Sequence, residues 1–78
     1  MFITDLLNKI KWDKRENPEE YEIFYLDRIS KKLIGLPYTS IKRIEGSFMV
    51  VMRNGEEVEI PLHRIKQVKK KGKIIWSR

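Results

Sequence analysis

The stretch that decides the fold is Phe48-Met49-Val50-Val51-Met52-Arg53-Asn54-Gly55-Glu56-Glu57-Val58-Glu59-Ile60. Asn54-Gly55 between two apolar runs predicts a type I′ hairpin, because both central residues of that turn need positive φ. With a two-residue turn Val51 faces Val58, Met49 faces Ile60 and Arg53 stands opposite Glu56. Met49, Val51, Val58 and Ile60 then share one core face.

On the C-terminal side, Pro61-Leu62 breaks the strand and puts His63-Arg64 on a corner. Ile65 to Lys69 resumes the strand pattern, Lys70 to Gly72 turns, and Lys73 to Ser77 completes a last hairpin. Its register is open: a two-residue turn pairs Val68 with Ile75, a three-residue turn pairs it with Ile74. On the N-terminal side, Ile41 to Glu45 is a short strand closed by Gly46-Ser47. Ser30 to Ser40 holds Lys31-Lys32, Gly35 and Pro37 and reads as a loop. Tyr21 to Ile29 is aromatic and β-branched, a further strand.

Residues 13–20 have no apolar member, and Asn17-Pro18 marks a turn, so this segment reads as a solvated loop. Phe2, Ile3, Leu6, Leu7 and Ile10 make one apolar stripe at helical spacing. Thr4 is placed to cap that helix, Asp5 suits its positive end, and Lys9 and Lys11 suit its last turn. No repeat or low-complexity tract is visible. The expected fold is α+β, with one N-terminal helix and a small antiparallel sheet of five or six short strands, curled into either a small barrel or a strongly bent sheet. A single domain spans residues 1–78.

Composition bounds the chemistry. The chain has 78 residues, 17 Lys and Arg against 11 Asp and Glu, and a net charge of +6. Without Cys, disulfides, thiol nucleophiles and Cys metal sites are excluded, and the single His63 leaves no two-imidazole arrangement. No metal and no cofactor is expected. No apolar run approaches the roughly 18 residues of a membrane span, and no leader is visible, so no membrane association and a cytoplasmic location are expected. Sparse Gln and abundant Lys and Glu fit a thermophilic source.

The charge is unevenly placed. Residues 1–27 hold four basic and seven acidic residues, a net of −3, whereas residues 28–78 hold thirteen and four, a net of +9. A surface of that kind suits a polyanion, RNA first. Lys66, Lys69, Lys70, Lys71 and Lys73 would hold phosphates without reading sequence, or simply guard a solvated turn. His63 and Arg64 can take a phosphate, or can be a backbone-bonded corner His and an Arg paired with Glu59 or Asp27. Trp12 and Trp76 are base-stacking rings or core, and so are Tyr21, Phe24 and Tyr25.

The order of Leu7-Asn8-Lys9-Ile10-Lys11-Trp12-Asp13, Tyr21-Glu22-Ile23-Phe24-Tyr25 with Asp27-Arg28, Ile60-Pro61-Leu62-His63-Arg64-Ile65 and Ile75-Trp76 resembles an uncharacterised, mostly archaeal family of small basic proteins. A role in recognising RNA ends with a 2′,3′-cyclic phosphate has been proposed for that family. The resemblance covers essentially the whole chain and singles out Asn8, Lys11, Trp12, Tyr25, Asp27, Arg28, His63 and Arg64. It implies RNA or phosphate binding by Lys11, Trp12, Tyr25, Arg28, His63 and Arg64, with the lysine run guiding the upstream backbone. Trp12 or Tyr25 would stack the terminal base. The expected activity is binding without catalysis. An RNA-end phosphoesterase using His63, and a module that recruits a protein partner or a second copy, are the alternatives.

Overall fold

A computed structural model describes residues 2–78. Helix α1 (Ile3–Trp12) is followed by seven strands: β1 (Tyr21–Leu26), β2 (Leu33–Pro37), β3 (Ile41–Glu45), β4 (Phe48–Arg53), β5 (Glu56–Pro61), β6 (Ile65–Lys70) and β7 (Lys73–Ser77). They form two antiparallel sheets, ordered β2-β1-β6-β7 and β3-β4-β5, which do not close into a barrel. The α+β expectation holds, with seven strands in place of five or six. The added strand is β2, in the stretch read as a loop. Gly35 and Pro37 obscure it, but β2 is an edge strand, where both are tolerated.

The hairpin β4–β5 has the expected register: Val51 opposite Val58, Met49 opposite Ile60, Arg53 opposite Glu56. Asn54 and Gly55 have φ of 53° and 81°, as the turn requires. Met49, Val51 and Ile60 are buried, and Val58 packs against them. The last hairpin follows neither expected register. Lys70 pairs with Lys73 around Lys71-Gly72 and Lys69 with Ile74, but a bulge then brings Val68 opposite Trp76. Ile75 is the extra residue, and it stays exposed while Trp76 reaches the core cluster. A bulge moves a side chain to the other face, and burial of the larger ring is what this one achieves.

The helix begins one residue before the expected cap. Phe2 is the N-cap residue, with no side-chain hydrogen bond, and Thr4 lies inside the first turn. Ile3, Leu6, Leu7 and Ile10 are buried as the stripe predicts, and Phe2 is not. One core cluster joins this stripe to Tyr21, Ile23, Tyr25, Ile65 and Val68 of the larger sheet and Met49, Val51 and Ile60 of the smaller one.

Two similar corners carry the chain between the sheets. Pro37 leads into a 3₁₀ turn Tyr38–Ser40 before β3, and Pro61 into a 3₁₀ turn Leu62–Arg64 before β6. In each, an extended Pro is followed by a buried residue, Tyr38 or Leu62, and the turn ends at an Ile. The pattern Pro-x-x-x-Ile-Lys thus occurs twice, with three identical residues in six, too few to read as a repeat from the sequence.

Candidate phosphate-binding cleft

Arg64 is the last residue of the second corner. Its orientation is fixed by its neighbours, since Leu62 and Ile65 are both buried. Arg28 follows β1 in a loop closed by Asp27. The Asp27 carboxylate accepts from the Ser30 amide at 2.9 Å and the Ser30 hydroxyl at 2.8 Å. Its backbone also exchanges hydrogen bonds with Lys31 and Lys32. The two Ser30 hydrogen bonds hold the Asp27 carboxyl below the usual range. Asp27 therefore shapes the loop that carries Arg28; no ion pair joins it to Arg64, and none joins Arg64 to Glu59, among the described residues.

Arg53, at the end of β4, completes the arrangement. Its Nη1 donates to the Tyr25 hydroxyl at 3.0 Å, bridging the two sheets. Arg28, Arg53 and Arg64 together line a cavity of about 320 Å³, with Asp27 and Glu59 at its wall and Leu26 and Pro61 as apolar surface. Three guanidiniums against two carboxylates leave the lining positive. Arg28 and Arg64 have no hydrogen bond or ion pair among the described residues, so their planar forks are available to an anion.

Arg53 was not legible in the sequence as a site residue. Its register partner is Glu56, which reads as an ordinary cross-strand pair, whereas the side chain turns to Tyr25. The signal that could have found it is Tyr25 itself, whose hydroxyl needs a partner when its ring is buried.

The other expected residues do not all gather here. His63 lines a separate cavity of about 600 Å³ with Ser47, Trp76 and Arg78. The cause is local: a 3₁₀ turn has three residues per turn, so adjacent side chains point about 120° apart. Tyr25 is 4% exposed, so its ring cannot stack a base and only its hydroxyl serves the cleft. Trp12 is 74% exposed at the end of α1, with Lys11 Nζ 5.1 Å from its ring centroid, and does not line the arginine cleft. Lys11 lines a third cavity with Asn8, Lys42 and Arg43.

Two lysines of the basic run are met by the acidic loop, which is not simply solvated. Lys70 Nζ lies 3.2 Å from Glu16 and Lys71 Nζ 2.9 Å from Glu20. Glu16 also accepts from the Tyr21 hydroxyl. That hydrogen bond, then the one from Lys70, hold the Glu16 carboxyl low, while the Glu16 hydrogen bond raises Lys70. Burial, then Glu16, push the Tyr21 hydroxyl up. Lys69 lies over the Phe24 ring at 4.7 Å. Lys66 is half-buried at a bulge opposite the Phe24–Tyr25 step, and Lys73 is exposed on β7.

Fold and cleft define a small α+β domain with an arginine-lined cavity, and no helix among the described residues is long and apolar enough to cross a membrane. The chain belongs to the family of the MJ1316 RNA cyclic group end recognition domain, whose model matches residues 1–78. A UPF0248 protein of Metallosphaera sedula is 35% identical over 78 residues, covering all of this chain and 94% of that protein. One from Thermococcus sibiricus is 38% identical over 82 residues, covering 99% of this chain and 85% of its own length. One from Saccharolobus solfataricus is 30% identical over 81 residues, covering 100% and 98%. No solved structure gives a significant match.

Proposed function

We propose that this protein is a non-catalytic RNA-binding module that holds a 3′ end carrying a 2′,3′-cyclic phosphate in the Arg28–Arg53–Arg64 cleft. The observation that carries this reading is the convergence of two unpaired guanidiniums and a third oriented by Tyr25 on one cavity. A cyclic phosphate has one negative charge and two exocyclic oxygens. Arginine forks match that geometry with charge-assisted hydrogen bonds. Leu26 and Pro61 offer the sugar an apolar wall. The family model's description, RNA cyclic group end recognition, agrees with this chemistry.

Binding is favoured over hydrolysis by the position of His63. The one imidazole of the chain lies outside the arginine cleft, so it is not beside the phosphate as a general acid or base must be. Lys69 then holds the upstream backbone, while Lys70 and Lys71 are already engaged by Glu16 and Glu20.

Fluorescence anisotropy with one RNA oligomer ending in cyclic phosphate, 3′-phosphate or hydroxyl tests the proposal. The cyclic end should bind tightest, and affinity should fall as salt rises. Arg28→Ala and Arg64→Ala should each weaken the cyclic end about 10- to 150-fold, on the ~1.5–3 kcal/mol of a charged hydrogen bond. Equal affinity for all three ends overturns end recognition. Turnover of the cyclic phosphate that is lost in His63→Ala overturns the non-catalytic reading.

A further inference from the structure

Among the described residues, no other element covers one face of the larger sheet. Tyr21, Ile23 and Tyr25 of β1 point into the core, so Glu22, Phe24 and Leu26 point away from it. Their cross-strand partners share that outer face. Phe24 stands opposite Gly35 on one side and Gln67 on the other, Leu26 opposite Leu33, and Glu22 opposite Lys69, which is itself opposite Ile74. Leu26, Leu33 and Ile74 are 38%, 45% and 54% exposed.

Phe24 is built into this face in a particular way. Its ring rests against the backbone of Gly35 so closely that a Cβ there would lie 2.7 Å from Cε2. The ring is thereby half-buried and held in place, with Lys69 Nζ 4.7 Å from its centroid. An aromatic ring fixed on an open sheet and accompanied by a cation is the arrangement by which single-stranded nucleic acid is held: the base stacks on the ring and the ammonium moves to the phosphate. Leu26 continues the same face directly into the arginine cleft, which it also lines.

We infer that the outer face of the larger sheet binds the unpaired RNA segment leading to the 3′ end, with a base stacked on Phe24 and the adjoining phosphate held by Lys69. The inference rests on the end-binding reading for its direction and adds a second subsite to it. Single-stranded RNA is the occupant because the ring carries a cation and the face runs into a positive cleft. One carboxylate, Glu22, stands on the face, and Lys69 lies over Phe24 and makes no ion pair with it.

Two probes separate the subsites: a mononucleotide 2′,3′-cyclic phosphate and a single-stranded hexamer, the latter with cyclic or hydroxyl ends. Phe24→Leu keeps apolar cover and Phe24→Tyr keeps the ring, so neither relies on truncating the side chain to a methyl group. Phe24→Leu should weaken both hexamers roughly 5- to 150-fold and leave the mononucleotide unchanged. Phe24→Tyr should bind like the parent, and Lys69→Gln should reduce the salt dependence of hexamer binding. Hexamer affinity indifferent to Phe24→Leu, or equal losses for hexamer and mononucleotide, overturns the subsite. So does sedimentation showing Phe24-dependent self-association without an RNA effect. If cyclic and hydroxyl hexamers bind alike yet depend on Phe24, end recognition fails and the stacking subsite stands.

Discussion

Arg53 and Tyr25 meet at 3.0 Å, a guanidinium from the end of β4 on a hydroxyl from the end of β1. The contact ties the two sheets together at the mouth of the arginine cleft and sets the direction of one of its three cations. Tyr25→Phe removes the hydroxyl and keeps the buried ring, so the fold should persist with a loss of about 1 kcal/mol. Affinity for cyclic-phosphate RNA should fall several-fold, and affinity for hydroxyl-ended RNA should not. Thermal denaturation and anisotropy on the same variant check both halves.

Glu16 and Lys70 make stability depend on pH at both extremes. The Glu16 carboxyl is held low by Tyr21 and Lys70, so its contribution is present above the ordinary carboxylate pKa of about 4 and is lost as pH falls below it. Lys70 is raised by Glu16, so its share is present below the ordinary lysine value of about 10 and is lost above it. Urea midpoints should be flat between these limits. Glu16→Gln should weaken the acid-side fall.

On the proposed reading, the same acidic loop would compete with RNA for the last hairpin. Glu16→Gln with Glu20→Gln releases Lys70 and Lys71 from their partners at 3.2 and 2.9 Å. The double variant should bind hydroxyl-ended RNA more tightly than the parent. Each lysine that gains a phosphate should steepen the log–log salt slope by about 0.7. An unchanged slope in a salt titration would show that this hairpin does not meet the RNA backbone.

Tyr38 anchors the helix. Its hydroxyl donates to the Leu7 carbonyl at 2.9 Å from the first inter-sheet corner, and burial raises its pKa. Tyr38→Phe should cost about 1 kcal/mol, read as a lower urea midpoint with an unchanged slope. With its folded pKa raised, the group's contribution is present below the ordinary tyrosine value of about 10 and is lost as pH rises through the folded one. The parent should lose stability there faster than the Phe variant.

Gly35 and Phe24 are matched. A methyl at Gly35 would meet Phe24 Cε2 at 2.7 Å, so Gly35→Ala must lift the ring off the sheet or bend β2. The expected outcome is a loss of about 1–3 kcal/mol in denaturation, the range for an overpacked contact. Phe24→Leu, with a smaller side chain, should relieve part of that loss in the double variant. A simple sum of the two losses would mean that the ring and the glycine do not press on each other.

Local chemistry made much of the architecture legible. Asn54-Gly55 settled the β4–β5 register because only one common turn accepts two positive φ angles in a row, and the pleat then fixed which residues face the core. Helix α1 followed from the spacing of Ile3, Leu6, Leu7 and Ile10, and Pro61 announced the corner that carries Arg64. Even the family was readable, since side chains set in order along the chain need no coordinates to be compared.

What the sequence left open depended on which distant groups meet. β2 forms because β1 offers it an edge, and the bulge at Ile75 forms because Trp76 finds room in the core. Neither energy resides in the segment concerned. His63 and Arg64 are neighbours in the chain and part at the 3₁₀ turn, whereas Arg28, Arg53 and Arg64 are separated in sequence and converge. Composition gave the net charge of +6, but the fold decided where it is available, by neutralising Lys70 and Lys71 with the acidic loop and leaving Arg28 and Arg64 unpaired. Charge is additive along a chain, and electrostatic potential depends on distances that only packing sets.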